Sequence, residues 1–201
     1  MGRKLEGTVA IITGAAGGIG RALAAEMAAQ GCTLVLADVD GPLLETTAAE
    51  LRSAGRSVVA RAVDVRDADQ VKALVDDAHR DLGRIDFLFN NAGINVCAEI
   101  ADTSLDDWNH LIDVNLRGVI HGVHAVYPVM RAQGFGHIVN TSSAAGLIPA
   151  AAEGAYAATK HAVVGLSSTL RVEAEAHGVR ISVVSVSYTH LRAHETERTI
   201  S

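Results

Sequence analysis

The sequence predicts an α/β protein whose parallel sheet is built from βαβ units. Short β-branched runs alternate with longer helical patterns along the chain, which is the pattern that such units produce. A glycine-rich stretch, residues 13–20, separates the first apolar run from the first helical pattern, and Asp38 ends the second run. With 201 residues, of which 49% are hydrophobic, the chain is long enough for one domain with a sizeable core.

Turn and cap signals place the elements along the chain. Pro42 occupies a first-turn position of the second helix, where its missing N–H costs no hydrogen bond, and Asp67 is the expected N-cap of the third helix. Ser104 and Asp107 have capping-box spacing, and Pro128 is expected to kink or end the helix that they open. The predicted strands are residues 8–14, 33–38, 57–64, 85–91, 137–142 and 179–186; the predicted helices are residues 19–30, 41–55, 68–82, 104–130 and one that contains residues 156–160 and stops at residue 178.

Composition favours a small-molecule ligand in a reducing compartment. The formal net charge is −6 with acidic and basic residues interleaved, which argues against nucleic acid or an anionic membrane as the partner. Cys32 and Cys97 form neither a CxxC pair nor a Cys/His cluster. No signal peptide and no run of ~18 apolar residues is present, so we expect a cytoplasmic protein. His121 and His124 lack a third ligand at metal-binding spacing, and we predict no metal site.

The stretch 13-TGAAGGIG-20 predicts a phosphate-binding turn between a strand and a helix. Small residues let the backbone approach a pyrophosphate, whose charge the N–H groups and dipole of the helix N-terminus stabilise. Its spacing is GxxxGxG, which differs from the usual GxGxxG fingerprint and by itself also fits a flexible turn. Asp38 can accept hydrogen bonds from a ribose and repels a 2′-phosphate. Because Gly17 and Val39 are uncharged, the sequence favours NAD(H) over NADP(H).

Tyr156 and Lys160 stand four residues apart, so on a helix they lie on one face and point into one volume. Taken singly, each side chain has an ordinary structural explanation as a packing or solvated residue. A free phenol has a pKa of about 10 and is a poor base near neutrality unless a cation favours the phenolate. Lys160 supplies such a cation, and oxidised nicotinamide would supply another.

Taken together, 13-TGAAGGIG-20, 90-NNAG-93, Asn115, 142-SS-143 and 156-YAATK-160 resemble the short-chain dehydrogenase/reductase family in the order of its motifs. The resemblance extends over residues 1 to about 186, and we interpret residues 1–186 as one domain. It implies a Rossmann-type, doubly wound parallel sheet with strand order 3-2-1-4-5-6. It also implies hydride transfer between NAD(H) and a secondary alcohol or ketone and, for the full-length parent protein, a homo-oligomer, tetramer or dimer.

The resemblance also assigns roles to individual residues. Tyr156 is similar to the family's acid/base and Lys160 to its partner, Ser143 to the substrate-binding serine, and Asn115 to the helix asparagine that supports a water and the lysine. The residues implied in cofactor binding are Gly14, Gly18, Ile19, Gly20, Asp38, Asp64, Val65, Asn91, Ala92, Gly93, Tyr156 and Lys160. Of these, Asp64 and Val65 correspond to adenine contacts.

Two other functions remain open from the sequence. A nucleotide-binding regulatory protein would keep the fold without turnover, and a lyase or epimerase would use the same tyrosine and lysine. The presence of all four residues, Tyr156, Lys160, Ser143 and Asn115, counts against the first alternative. The GxxxGxG spacing and short architecture count against the second.

The last stretch, 187-SYTHLRAHETERTIS-201, is expected to lie outside the family pattern. It is polar, lacks glycine and proline, and stands where the family continues with a substrate-closing loop, a strand and a helix. Residues 186–196 resemble one reading frame of a sequencing adapter, so we interpret 187–201 as an artefactual tail and the family's final strand and helix as missing. An apolar sixth strand would then be an exposed edge, and we expect poor solubility or low activity.

Overall fold

The computed structural model describes residues 5–187 of the chain. Within this range the strands are β1 (Val9–Thr13), β2 (Thr33–Asp38), β3 (Val58–Ala62), β4 (Phe87–Asn90), β5 (Gly136–Ser143) and β6 (Val179–Val186). The α-helices are α1 (Gly18–Ala29), α2 (Gly41–Ser53), α3 (Ala68–Leu82), α4 (Leu105–Ile112), α5 (Gly118–Gln133) and α6 (Gly154–Glu175). The predictions made for residues 188–201 lie outside the described part of the chain.

The six strands form one parallel sheet in the order β3-β2-β1-β4-β5-β6. This confirms the predicted Rossmann-type fold class and strand order. The order reverses beside β1, between its neighbours β2 and β4. In open parallel sheets ligands bind at such a switch point, outside the carboxyl ends of the strands.

The core consists of two layers, one on each face of the sheet. Side chains alternate between the faces of a strand, so Ile11 of β1 packs in one layer and Ile12 in the other. The Ile11 layer includes Val71 of α3, Val123 of α5 and Val163 of α6. The Ile12 layer includes buried residues of α1 and α2. Helices therefore cover both faces, and the edge where the strands end stays accessible.

Helix caps explain where several helices begin. The Asp67 carboxylate accepts hydrogen bonds from the backbone N–H groups of Asp69 and Gln70, and Ser104 forms a reciprocal capping box with Asp107. Both predicted caps are confirmed. The cap of α2 is Asp40, whose carboxylate accepts from the Leu43 N–H at 3.0 Å.

The long helix predicted over residues 104–130 differs from the expectation in two ways. A π-helical segment, Asp113–Arg117, separates α4 from α5. Moreover, Pro128 does not end the helix, which continues to Gln133 and stops at Gly134 in the left-handed conformation. Pro128 and His124 are both exposed, so solvent can take the hydrogen bond that proline denies to the His124 carbonyl.

Candidate active site at the carboxyl ends of the strands

The glycine-rich turn between β1 and α1 is packed too closely for larger residues. A Cβ atom at residue 20 would lie 2.0 Å from the Gly14 carbonyl oxygen, and one at residue 14 would lie 2.7 Å from the Ala92 Cα atom. Gly14 also has φ +66°, a conformation that favours glycine. Two of the predicted glycines are therefore required by the turn itself, whatever it binds.

Thr13 and Asn91 fasten this turn to the loop after β4. The Asn91 side-chain amide donates to the Thr13 and Gly14 carbonyls at 3.2 and 3.3 Å. In return, the Thr13 hydroxyl accepts from the N–H groups of Asn91 and Ala92, both at 3.1 Å. Thr13 was not among the predicted site residues, although its position at the end of the first strand indicates such a role.

Asp38, at the end of β2, secures the other side of the turn. Its carboxylate accepts from the Ala16 N–H at 2.9 Å and from the Asp40 N–H at 3.1 Å, with one oxygen engaged by each. A carboxylate offers about four lone-pair sites, so two acceptor positions remain. Asp38 can thus hold the turn and still accept hydrogen bonds from a ligand, as a ribose would require.

The turn fits the pyrophosphate of a dinucleotide. Gly17, at the N-cap of α1, has no side chain to cover the first-turn N–H groups, and Gly18 and Ile19 are exposed. The N-terminus of α1 thus offers hydrogen-bond donors and the positive end of its dipole to an anion. Two acceptor positions of the Asp38 carboxylate remain beside these donors. Together they match the donors and acceptors needed to bind the adenosine half of a nicotinamide cofactor.

Asp64 and Val65, predicted to contact adenine, follow β3. The Asp64 carboxylate forms an ion pair with Arg66 at 2.6 Å, and hydrogen bonding to Arg66 lowers the pKa of Asp64 below its ordinary value. Val65 is buried, and its carbonyl lies 2.9 Å from Nδ1 of His121. These contacts fix the loop after β3, while the role of the two residues toward adenine stays a prediction.

The predicted catalytic residues come together from three elements. Tyr156 and Lys160 lie on α6, Ser143 ends β5, and Asn115 lies in the π-helical segment. The Tyr156 side chain hydrogen-bonds to that of Ser143, and Nζ of Lys160 lies 5.5 Å from the centre of the Tyr156 ring. The Lys160 ammonium also donates to the Thr141 carbonyl at 3.0 Å, which holds it beneath the end of β5.

Burial controls the proton affinity of this cluster. Lys160 is only 4% exposed, and desolvation lowers its pKa to about 8. Burial raises the pKa of the Tyr156 phenol, against the opposing effect of the Ser143 hydrogen bond, and the Glu153 carboxylate raises this pKa further. The sequence analysis expected Lys160 to favour the phenolate. In the protein alone desolvation outweighs that effect, because a buried lysine also loses charge readily.

Asn115 joins the loop after β4 to α6. Its side-chain oxygen accepts from the Ile94 N–H at 2.8 Å, and its amide donates to the Ile94 carbonyl at 2.9 Å and to the Thr159 hydroxyl at 3.3 Å. The side chain is completely buried, and a π-helical turn is a common local irregularity at functional sites. Asn115 therefore sets the spacing between the cofactor-side loop and the catalytic helix.

The structure adds three residues that the sequence analysis did not select. Thr159 bonds Asn115, Thr141 bonds Lys160, and the buried Glu153 stands immediately before α6. For Glu153 the available signal was an acidic residue three positions before the tyrosine. Nothing in the sequence distinguishes Thr159 or Thr141 from other threonines, because threonine is common in both helices and strands.

Other predicted features lie away from this cluster. His121 bonds the Val65 carbonyl, and His124 lines a surface groove of about 260 Å³ between α5 and α6. Among residues 5–187 there is no group of three or more His, Cys, Asp or Glu side chains placed to hold a metal ion. Within the same range, none of the helices has the length and apolar character needed to cross a membrane.

The sheet order, the turn and the cluster define a dinucleotide-binding oxidoreductase of Rossmann type. A family model described as short chain dehydrogenase matches residues 8–199. The oxidoreductase UcpA of Escherichia coli strain K12 is 41% identical over 186 residues, covering 92% of this chain and 70% of that protein. The chain belongs to the short-chain dehydrogenase family.

Solved structures agree with this assignment. A short chain dehydrogenase/reductase from Burkholderia phymatum in complex with NAD has a TM-score of 0.90 at 42% identity, covering 93% of this chain and 68% of that one. A metagenomic short-chain oxidoreductase in complex with NADP has a TM-score of 0.87 at 35% identity, and the match covers 91% of this chain and 83% of that one. The protein is accordingly an NAD(P)-dependent oxidoreductase that acts on CH–OH groups of small molecules.

Proposed function

We propose that the protein interconverts a secondary alcohol and a ketone with NAD(H), and that Tyr156 is the acid/base. The observation that carries this proposal is the contact of Tyr156 with both Ser143 and Lys160 at the carboxyl end of β5. Two asparagines flank this cluster. Asn91 donates a hydrogen bond to the glycine-rich turn, and Asn115 donates one to Thr159 of α6. One accessible edge thus combines cofactor-binding and proton-transfer groups.

When bound, the nicotinamide cofactor supplies or accepts the hydride. The chain's own residues handle the proton and the orientation of the substrate. In reduction, the Tyr156 hydroxyl donates its proton to the developing alkoxide, and in oxidation the phenolate takes the proton of the alcohol. General acid/base help of this kind contributes about 10²- to 10⁴-fold.

Ser143 and Lys160 support Tyr156 in different ways. The Ser143 hydroxyl, which already bonds the phenol, is placed to bond the same substrate oxygen and to fix its orientation. Lys160 exchanges its own proton near pH 8, because burial lowers its pKa to about that value. A proton can therefore pass from Lys160 toward Tyr156 near that pH.

Asp38 supports NAD(H) over NADP(H) as the cofactor. Its carboxylate is held at the end of β2 by two backbone N–H groups, which fixes a negative charge where a ribose 2′-phosphate would approach. The next residue, Val39, is 71% exposed and carries no charge. The same position therefore offers acceptors to a 2′-hydroxyl and repulsion to a phosphate.

The assembly and location of the protein remain part of this proposal. We propose a cytoplasmic homo-oligomer, tetramer or dimer, on the basis of the family resemblance and the absence of metal-site or membrane signals in the sequence. Size-exclusion chromatography with light scattering measures the assembly directly.

A substrate screen tests the proposed function. The full chain is mixed with NAD and a panel of secondary alcohols, and NADH formation is followed at 340 nm. Slow turnover of at least one alcohol is expected, in line with the low activity expected for this chain, and NADP should give a still slower rate. Saturable NAD binding without turnover of any alcohol or ketone would support the alternative of a nucleotide-binding regulatory protein. Conversion without net change in NADH would support a lyase or epimerase.

A further inference from the structure

Glu153 is a buried carboxylate at the entrance of the catalytic helix. It is 6% exposed and occupies the N-cap position of α6, yet its side chain makes no capping hydrogen bond to the helix. The carboxylate instead accepts a hydrogen bond from the Asn95 side-chain amide at 2.9 Å. The positive end of the α6 dipole favours a negative charge at this position.

The same region fastens the loop after β4 to α6 through the backbone. Ala98 pairs with Glu153 in an isolated parallel bridge, and the Ala98 N–H donates to the Ala152 carbonyl at 2.8 Å. Ile100 packs so closely that a Cβ atom at residue 154 would lie 2.8 Å from its side chain. The Glu153–Asn95 hydrogen bond thus belongs to a set of contacts that joins loop 95–98 to the first turn of α6.

Glu153 precedes Tyr156 by one helical turn, so its charge acts on the phenol at short range. Lys160, also on α6, is a second ionisable group beside the phenol. On loop 95–99, Cys97 and Glu99 are exposed. On α4, Asp107 is engaged by Ser104, and in the π-helical segment that follows, Asp113 is engaged by Arg117. Glu153 is therefore a buried anion whose charge raises the pKa of the Tyr156 phenol.

We propose that Glu153 is a positioning residue of this site: its buried carboxylate holds loop 95–98 against α6 and raises the pH at which Tyr156 exchanges its proton. This inference rests on the proposed role of Tyr156 and extends it. A carboxylate beside the phenol keeps it protonated to higher pH, which suits a proton donor. In agreement, the Glu153 charge contributes to the raised pKa of Tyr156.

The test is the exchange Glu153→Gln, which keeps the shape and an acceptor for Asn95 but removes the charge. Protein labelled with [ζ-¹³C]tyrosine gives one NMR signal for each of its three tyrosines, and Tyr156→Phe identifies the one that matters. The titration midpoint of that signal is expected to fall by about 0.5 to 1.5 pH units. The rising limb of alcohol oxidation is expected to move to lower pH with it.

Two further variants separate the charge from the fold. Glu173→Gln removes an equal charge from an exposed position of α6, roughly 30 Å further along the helix, and is expected to leave the midpoint unchanged. Asn95→Ala removes the hydrogen bond and keeps the Glu153 charge, so it is not expected to lower the midpoint. If circular dichroism shows that Glu153→Gln is unfolded, Glu153→Ala replaces it, and the same fall of the Tyr156 titration midpoint is expected.

An unchanged midpoint in folded Glu153→Gln overturns the inference, as does an equal fall in Asn95→Ala, which would make the effect purely structural. The NMR titration needs neither substrate nor turnover. A shifted midpoint in a protein that oxidises no alcohol would therefore uphold Glu153 while refuting the proposed function.

Discussion

The proposed cofactor-binding half of this site, called here the cofactor half, and the proposed catalytic half are built in different ways. Around β1, β2 and β4, the site is backbone held in place by neighbouring backbone and by short side chains such as Thr13, Asn91 and Asp38. Around β5 and α6, it is a cluster of buried and partly buried side chains in which Lys160 and Tyr156 have perturbed proton affinities.

This difference predicts different sensitivities. In the cofactor half, added side-chain volume should lower stability and NAD affinity most, because a Cβ atom at residue 20 would lie 2.0 Å from a carbonyl oxygen. The catalytic half should suffer most from removal of a single functional group at unchanged volume. Substitutions at Tyr156, Lys160, Gly20 and Asp38 test this contrast.

Tyr156→Phe removes one hydroxyl from the catalytic half and should reduce kcat by about 10²- to 10⁴-fold, because the proton acceptor or donor is lost. NAD affinity should change little, since the turn around Gly14 and Gly20 is untouched. Steady-state kinetics and NAD titration measure the two quantities. Tyr127→Phe, at a partly buried position of α5, is the matched control and should keep full activity. Full turnover in Tyr156→Phe would refute the acid/base role.

Lys160→Met should change how stability depends on pH. The folded pKa of Lys160, about 8, lies below the unfolded value of about 10.4, so between these values the unfolded state binds more protons. The free energy of unfolding of the wild type should therefore rise with pH in this window, by roughly 3 kcal/mol relative to the variant. Urea unfolding at pH 7 to 10.5 measures the difference. Lys72→Met, at an exposed position, should show no such trend; parallel curves for the wild type and Lys160→Met would contradict the prediction.

Gly20→Ala adds one methyl group to the cofactor half. Because that atom would clash with the Gly14 carbonyl, we expect a loss of about 1–3 kcal/mol in stability together with weaker NAD binding. Thermal unfolding without cofactor gives the stability. Gly17→Ala is the control, since its added Cβ meets nothing within 4 Å and its φ of −150° suits alanine. Equal stability of the two variants would show that the turn is not closely packed in solution.

Asp38→Asn should shift the choice of cofactor. Loss of the negative charge removes repulsion of a 2′-phosphate, so the ratio of kcat/KM for NADP to that for NAD should rise about tenfold, while one side-chain oxygen still accepts from the turn. Asp69→Asn, an equal loss of charge at an exposed position of α3, should leave the ratio unchanged. A constant ratio in Asp38→Asn would remove the support for NAD(H).

The predicted fold held because it depended on local signals. β-branched runs, caps such as Asp67 and Ser104, and the strand-ending Asp38 act over a few residues, so the sequence displays them directly. The prediction for the long helix was wrong in detail. The helix continues past the exposed Pro128, and a π-helical segment, Asp113–Arg117, interrupts it. Neither outcome is visible in hydrophobic periodicity, because both depend on what surrounds the helix.

The class of fold, the glycine-rich turn and the Tyr156–Lys160 spacing can be derived from the amino-acid sequence, since strand alternation and helical periodicity are properties of neighbouring residues. The contacts of Asn115 with Ile94 and Thr159, the burial that lowers the pKa of Lys160, and the place of Glu153 beside Tyr156 become visible in the folded protein alone. These properties arise from residues far apart in the chain. Desolvation and short-range charge interactions exist only once packing has brought such residues together.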